Sequence, residues 1–278
     1  MRGLNKLFIF LILFLLLGES YSQQPGRDPS AISQYTFQTL PSGLQFVIQE
    51  EGKGRKIIPG DLLEIHLKGT LPDGSVFAST YKKNKKLKII AGVGRMIPGL
   101  DEGILYLKEG SKAVFRITPE LGYGEAGLGN KVPAGSDLLM EIKVVQILPN
   151  KYPVTPFKVG DTDTLITKHG IRYITVIQTK AGRPLKKGEV FVNYIGYLPD
   201  GKIFDTSIPN KEPFKFDLGD PEIIKGWNEG IALMHVGEKF RFLIPWKLAY
   251  GKKGYPPKIP PETDLIFDIE LVEIKKAR

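Results

Sequence analysis

VNYIGYLPDGKIFDTS, residues 192–207, opens a run that continues through PFKFDLG (213–219), PEIIKGWNEGI (221–231), LAYGKKGYPPKIPP (248–261) and DLIFDIEL (264–271). Tyr194, Phe204, Phe214, Trp227, Tyr250, Tyr255 and Phe267 all fall within it. So many rings in so short a span imply a core. Phe204, Tyr250 and Tyr255, however, stand beside turn signals: Asp200-Gly201, Gly251, Gly254 and Pro256-Pro257. Loops run mostly over the surface. Rings that are partly core and partly loop-borne predict a concave apolar pocket with a few polar groups at its mouth.

The local signals around these rings predict antiparallel strands. Asp-Gly between apolar runs is a strong short hairpin signal. Apolar and polar residues alternate in Ile65–Leu67, Phe115–Ile117, Phe240–Ile244 and Leu265–Leu271, the pattern of half-buried strands. Ile224, Trp227 and Ile231 recur at helical spacing with Gly237 just beyond, predicting one short helix. An antiparallel sheet with one helix on a face is an α+β arrangement.

The same signals occur twice. Leu71-Pro72-Asp73-Gly74 returns as Leu198-Pro199-Asp200-Gly201, a shift of 127 residues. That shift carries Phe77 onto Phe204, Gly99 onto Gly226, Glu102-Gly103-Ile104 onto Glu229-Gly230-Ile231 and Tyr123-Gly124 onto Tyr250-Gly251. It holds from Ile65 to Val145, and each copy also starts alike, Ser42-Gly43-Leu44 matching His169-Gly170-Ile171. The period is far longer than a solenoid unit, so the chain reads as two duplicated domains.

From Gly188 to Ile274 these residues resemble the FKBP-type peptidyl-prolyl cis–trans isomerases. The resemblance implies two tandem FKBP-like domains, each an antiparallel curved sheet packed on one short helix. It implies catalytic roles for Tyr194, Phe204, Asp205, Tyr250 and Phe267. It implies substrate contact for Phe214, Ile223, Ile224, Trp227, Tyr255 and Ile259, with Trp227 as the floor. No cofactor or metal is implied. The implied partners are proline-containing unfolded or partly folded polypeptides, with macrolides as inhibitors. Two residues depart from the family pattern: Asn210 stands where an Arg often pairs with the pocket Asp, and Tyr255 where His is common.

The first copy departs where the chemistry is expected. The shift places Leu67 for Tyr194, Ala78 for Asp205, Leu87 for Phe214, Arg95 for Glu222, Met96 for Ile223, Leu100 for Trp227 and Met140 for Phe267. Apolar character survives, so a core can repack around it; the rings and the carboxylate do not. This copy reads as a degenerate isomerase that binds polypeptide.

Outside the copies the readings are simpler. Arg2 and Lys6 precede the unbroken apolar run Leu7 to Leu17, and Ser20-Tyr21-Ser22 follows. That order describes a secretory signal peptide over residues 1–22, with an uncleaved anchor as the alternative, and its eleven apolar residues fall short of the roughly 20 that span a bilayer. Residues 23–39 read as a polar tether without a long amphipathic helix, which favours a monomer. Domain 1 is expected over 40–148, a linker with three prolines over 149–156, and domain 2 over 157–278. The chain of 278 residues is 42% apolar and 25% charged, ordinary globular composition. It has no Cys, so no disulfide staples the exported, periplasmic or secreted, form. Its net charge of +9 and the run Lys82-Lys83-Asn84-Lys85-Lys86 fit a solvated loop, and export argues against nucleic acid. His66, His169 and His235 are isolated and show no metal spacing. The expectation is an exported isomerase that assists protein folding through its second domain. The alternative is a non-catalytic polypeptide-binding chaperone built from the same domains.

Overall fold

Each copy of the repeat folds into a seven-stranded antiparallel sheet with one short α-helix. This computed structural model describes residues 36–82, 85–150, 154–160, 162–181, 188–208 and 212–276. The signal segment, most of the tether, Lys83-Asn84, the linker residues Lys151–Pro153 and Asn210 lie outside them. The described chain forms two compact units, which divide between residues 151 and 152.

The first unit contains β1 (Gln38–Thr39), β2 (Gln45–Glu50), β3 (Leu62–Thr70), β4 (Val76–Ser79) and β5 (Leu87–Ile90), then α1 (Pro98–Gly103), β6 (Lys112–Ile117) and β7 (Leu138–Leu148). Its strand order is β1-β2-β6-β7-β3-β4, with β5 also on β3. The second unit contains β8 (Leu165–Ile166), β9 (Arg172–Ile177), β10 (Gly188–Tyr197), β11 (Ile203–Thr206) and β12 (Phe214–Asp217). Then come α2 (Lys225–Ile231), β13 (Lys239–Ile244) and β14 (Leu265–Lys276). Its order, β11-β10-β14-β13-β9-β8 with β12 on β10, is the same sheet.

The duplication extends to register. Gly69 faces Met140 across β3 and β7, and Gly196 faces Phe267 across β10 and β14. Phe115 faces Met140 as Phe242 faces Phe267. The Asp-Gly turns close the β3–β4 and β10–β11 hairpins, with Gly74 and Gly201 at φ of 83° and 87°, which glycine adopts without a Cβ penalty.

Helix and sheet meet through glycine. A Cβ on Gly99 would lie 2.8 Å from Ile117 and one on Gly103 2.4 Å from Phe115. In the second copy a Cβ on Gly226 would lie 2.4 Å from Ile244 and one on Gly230 2.8 Å from Phe242. Glycines four apart lie on one helix face, so each helix lies flush on the strand that follows it. Both helices are short. α2 stops at Ile231, and Gly237, expected just past its end, instead takes φ of 86° in the turn before β13.

Each copy buries its own core. Leu44, Leu63, Ile65, Ile104, Phe115 and Ile142 centre the first; Trp227, Phe242, Phe267, Ile269 and Leu271 centre the second. Burying each such side chain contributes about 1.5–3 kcal/mol. The second copy also buries a charge. Asp268 is 0% exposed and accepts from Arg241 Nε at 2.7 Å, Arg241 Nη2 at 2.8 Å, the Tyr197 hydroxyl at 3.1 Å and the Phe157 N–H at 2.6 Å. Arg241 Nη2 also donates to the Phe157 carbonyl at 2.8 Å. The hydrogen bond to Asp268 raises the Arg241 pKa, and burial beside Asp268 raises that of Tyr197. The chain entering the second copy is thereby fastened to its sheet.

Candidate active site

The rings singled out in the second copy converge on α2. Trp227 is fully buried, and Tyr194 from β10 meets it edge-on at 4.9 Å between centroids and 79° between planes. Phe267 from β14 meets Trp227 at 5.2 Å and 81°, and Phe214 from β12 at 6.1 Å and 74°. Phe204 from β11 stands edge-on to Phe267 at 5.6 Å and 87°. These are the T-shaped contacts that aromatic quadrupoles favour. Gly196 makes room for them, because a Cβ there would lie 2.7 Å from both Phe204 and Phe267. The buried indole N–H of Trp227 has no acceptor among the described residues.

One carboxylate is held within this apolar set. The Tyr194 hydroxyl donates to Asp205 Oδ2 at 2.6 Å, and the Thr206 N–H donates to Asp205 Oδ1 at 2.9 Å. Tyr194 is itself clamped: its N–H donates to Ser207 Oγ at 2.8 Å, and Thr206 Oγ1 donates to its carbonyl at 2.7 Å. The ring that holds Asp205 is therefore fixed at both ends.

Tyr250 and Tyr255 come from the long loop between β13 and β14, their rings 5.8 Å apart. The loop is tied off where the Tyr255 N–H donates to the Ile259 carbonyl at 2.8 Å and the Ile259 N–H returns the bond at 3.0 Å. Ile259 is buried, and Tyr250 and Tyr255 pack on the same core. Burial above all, then the Asp205 charge and Tyr255, push the Tyr250 hydroxyl far above its ordinary value, so it stays protonated and able to donate. Ile223 is buried, while Phe214 and Ile224 are partly buried on the core.

All eleven residues singled out in the second copy thus belong to one core cluster or, for Asp205, are hydrogen-bonded to it. Sequence reasoning missed Phe216, whose ring lies 5.8 Å from both Phe214 and Trp227. The alternation Phe214-Lys215-Phe216 was the available signal. It also missed Thr206 and Ser207, which clamp Tyr194 through its backbone.

The first copy keeps the frame and loses the groups. Leu67, Ala78, Leu100 and Met140 are buried at the positions of Tyr194, Asp205, Trp227 and Phe267. Phe77 and Tyr123 remain, edge-on at 6.4 Å and 85°, and burial pushes the Tyr123 hydroxyl up to about 12. The backbone clamp persists too: the Leu67 N–H donates to Thr80 Oγ1 at 3.0 Å.

The family model of FKBP-type peptidyl-prolyl cis-trans isomerase matches residues 53–145 and again 181–272. The human peptidyl-prolyl cis-trans isomerase FKBP10 (Homo sapiens) is 31% identical over 225 residues, 81% of this chain and 36% of the relative. The human peptidyl-prolyl cis-trans isomerase FKBP9 is 34% identical over 215 residues, 77% of this chain and 35% of the relative. FK506-binding protein 4 of Dictyostelium discoideum is 45% identical over 112 residues, 40% of this chain and 30% of the relative. The chain spans about a third of the length of these curated relatives.

Proposed function

The chain belongs to the family of FKBP-type peptidyl-prolyl cis-trans isomerases, and from that premise we propose that its second copy rotates X–Pro peptide bonds while its first copy binds polypeptide without rotating it. The observation that carries this reading is the Tyr194–Asp205 hydrogen bond over the Trp227 floor, set against Leu67, Ala78 and Leu100 at the same places in the first copy.

Peptide-bond rotation faces a barrier of roughly 18–20 kcal/mol because the planar amide is stabilised by resonance. Uncatalysed X–Pro isomerisation takes roughly tens to hundreds of seconds. In the twisted transition state that resonance and its charge separation are lost. An apolar pocket that strips water from the amide disfavours the polar planar form more than the twisted one. That is differential binding, and it needs no nucleophile. Trp227 underlies the proline ring, with Phe204, Phe214, Ile223, Ile224, Ile259 and Phe267 around it. Tyr250 donates to the substrate carbonyl. Asp205, held by Tyr194, places a carboxylate beside the amide, and Tyr255 closes the loop side. The partly apolar groove of the first copy contacts planar and twisted amides alike, which gives affinity without rate. Joined to the second copy in one chain, it raises the local concentration of a bound polypeptide.

The substrates in this reading are proline-containing unfolded or partly folded polypeptides, and the Trp227 pocket is also where a macrolide inhibitor would sit. The charged, apolar and small-residue order of Met1 to Ser22 supports export, periplasmic or secreted, and the lack of a long amphipathic pattern in residues 23–39 supports a monomer. No helix among the described residues is long and apolar enough to cross a membrane.

A proline-isomerisation assay on the full chain tests the division. Phe204→Ala is expected to remove most tetrapeptide isomerisation while circular dichroism stays near native, and Phe77→Ala to leave it intact. Full activity in Phe204→Ala would place the reacting pocket elsewhere. Loss of activity in Phe77→Ala would make both copies enzymes.

A further inference from the structure

Thr206, the last residue of β11, is 2% exposed and bonds to both members of the Tyr194–Asp205 pair. Its N–H donates to Asp205 Oδ1 at 2.9 Å, and its hydroxyl donates to the Tyr194 carbonyl at 2.7 Å. The same hydroxyl oxygen accepts the Ile208 N–H at 3.2 Å. The donor that reaches Tyr194 is thus the middle of a chain of bonds in which each polarises the next. Register explains the reach. Across β10 and β11, Thr206 faces Ile195 and Asp205 faces Gly196, and the ladder shifts between Gly196 and Tyr197. Phenol and carboxylate therefore meet in a hairpin whose pairing is irregular on one side, and Thr206 holds the other.

The first copy is built differently at this point. Ser79 stands at the place of Thr206, half-buried, and its hydroxyl accepts the Tyr81 N–H at 3.2 Å, as Thr206 accepts Ile208. The hydroxyl that donates to the Leu67 carbonyl belongs to Thr80, at 3.2 Å, the residue matching Ser207. Ala78 precedes Ser79, so that copy has no carboxylate at the Asp205 position. The bond from Thr206 to the Tyr194 carbonyl goes with the phenol–carboxylate pair rather than with the hairpin that both copies share.

We propose that Thr206 is a positioning residue for X–Pro isomerisation: it fixes the Tyr194 main chain and the Asp205 carboxylate against each other, so that the pair stands in one arrangement beside the bound amide. This rests on the reading above that the second copy is the isomerase. Thr206 is buried and acts through its neighbours, not on the substrate. A reacting geometry has to be held to within about 0.5 Å by groups whose own rotamers are locked. A misplacement of about 1 Å can cost on the order of 100-fold in rate. The Tyr194 phenol reaches Asp205 Oδ2 at 2.6 Å from the far end of its ring, so a shift of the Tyr194 backbone is carried to the carboxylate.

The test is a double-substitution cycle on the full chain, read as kcat and KM for a prolyl tetrapeptide at a temperature where every variant keeps near-native circular dichroism. Thr206→Val keeps the branched shape and removes the hydroxyl. It is expected to lower kcat about tenfold with KM within about twofold, the mark of an interaction made in the transition state. Thr206→Ser retains the hydroxyl and is expected to recover most of that rate. In a Tyr194→Phe background, which has no phenol to place, Thr206→Val should cost under about twofold. Thr206→Ala, with no added methyl against the Tyr194 carbonyl, goes through the same cycle, so the result does not depend on Val being accommodated. An equal loss in both backgrounds would make Thr206 structural and overturn the inference, as would a Thr206→Ser variant as slow as Thr206→Val. Wild-type rates in Thr206→Val and Thr206→Ala beside a slow Tyr194→Phe would overturn it and leave the site standing. Wild-type rates in all of them, Tyr194→Phe included, would remove the pair from the reaction and the inference with it.

Discussion

Gly99 and Gly226 do the same work in the two copies, each letting a helix lie against an Ile one strand away. Leu100 and Trp227, the next residues along, do not: both are buried, but Trp227 alone packs among rings, those of Tyr194, Phe214, Phe216 and Phe267. The contrast repeats one strand over. Phe77 and Phe204 occupy matching strand positions, while the residue after each is Ala78 in one copy and Asp205 in the other. Residues that set backbone approach and turn geometry are shared, and those that would touch an amide differ. Duplication has kept the frame and let the site change, so exchanging residues between copies separates the two kinds of constraint.

The largest effect is expected where the second copy holds something its twin lacks. Asp268 is buried with Arg241, Tyr197 and Phe157; the first copy has Glu141, Val114 and Thr70 at the matching sheet positions. Glu141 pairs with Lys68 at 3.1 Å, with both side chains partly exposed. Asp268→Asn should destabilise the second copy by about 3 kcal/mol, because the partly buried Arg241 loses its counter-charge and the buried side chain at 268 can no longer accept from all its donors. Glu141→Gln should cost under about 1 kcal/mol in the first. Both tryptophans, Trp227 and Trp246, lie in the second copy, so urea unfolding followed by tryptophan fluorescence reads that copy selectively, and hydrogen exchange of the β7 amides in the same urea series reads the first. Equal shifts for the two substitutions would show that the Asp268 network adds nothing a surface pair does not.

Next in size is the exchange of site residues. Giving the second copy the residues of the first, Tyr194→Leu/Asp205→Ala/Trp227→Leu, should lower kcat/KM for a prolyl tetrapeptide about 100-fold, or about 2.7 kcal/mol of transition-state stabilisation. Binding of an unfolded client should persist, as proposed for the first copy. Activity within a few-fold of wild type would mean that the rings and carboxylate are core alone.

Most of this was legible in the sequence, and what was not has a physical reason. The strands, the Asp-Gly hairpins and the short helices follow from alternation, turn chemistry and helical spacing, and the constant 127-residue shift marks the substituted positions. The Asp268 network was not legible. An Asp that alternates with apolar residues on a strand reads as solvent-facing, and its partners Arg241, Tyr197 and Phe157 stand 27, 71 and 111 residues away. Phe216 was passed over because ring counting treats it as a neighbour of Phe214, although both pack on Trp227. Gly237 lies just beyond the periodic residues, and the structure places it at positive φ in the turn before β13.

A third substitution tests the shared frame. Gly103→Ala and Gly230→Ala each drive a Cβ to 2.4 Å or 2.8 Å from a buried Phe ring, Phe115 or Phe242. Helix propensity favours Ala over Gly by about 1 kcal/mol, but overpacking a filled core typically costs about 1–3 kcal/mol. With rings that cannot fold away, the second effect should win in both copies, and by similar amounts. Stabilisation by either substitution would mean that the helix can lift from its strand, and that the frame is looser than the matching registers imply.

The smallest effect concerns acid, and it runs opposite to the first prediction by singling out the first copy. Asp61 stands where the second copy has Gly188, so only one copy has this carboxylate. Burial works to raise its pKa, but Arg55 donates to both oxygens at 2.7 Å and the Ile58 N–H donates at 2.9 Å, and the balance lies below the ordinary value of 3.8. A carboxyl depressed in the folded state contributes stability above its unfolded pKa and loses it as pH falls through the folded one. The first copy should therefore lose this contribution below about pH 4, while the second loses none from this position. Arg55 is half exposed, so screening keeps the effect small. Asp61→Asn should lower the first copy's melting midpoint by about 2–4 °C at pH 7 and by less at pH 3. Hydrogen exchange of the β3 amides reads that copy without the second. A loss as large at pH 3 as at pH 7 would show that Asp61 acts through its shape and neutral hydrogen bonds rather than its charge.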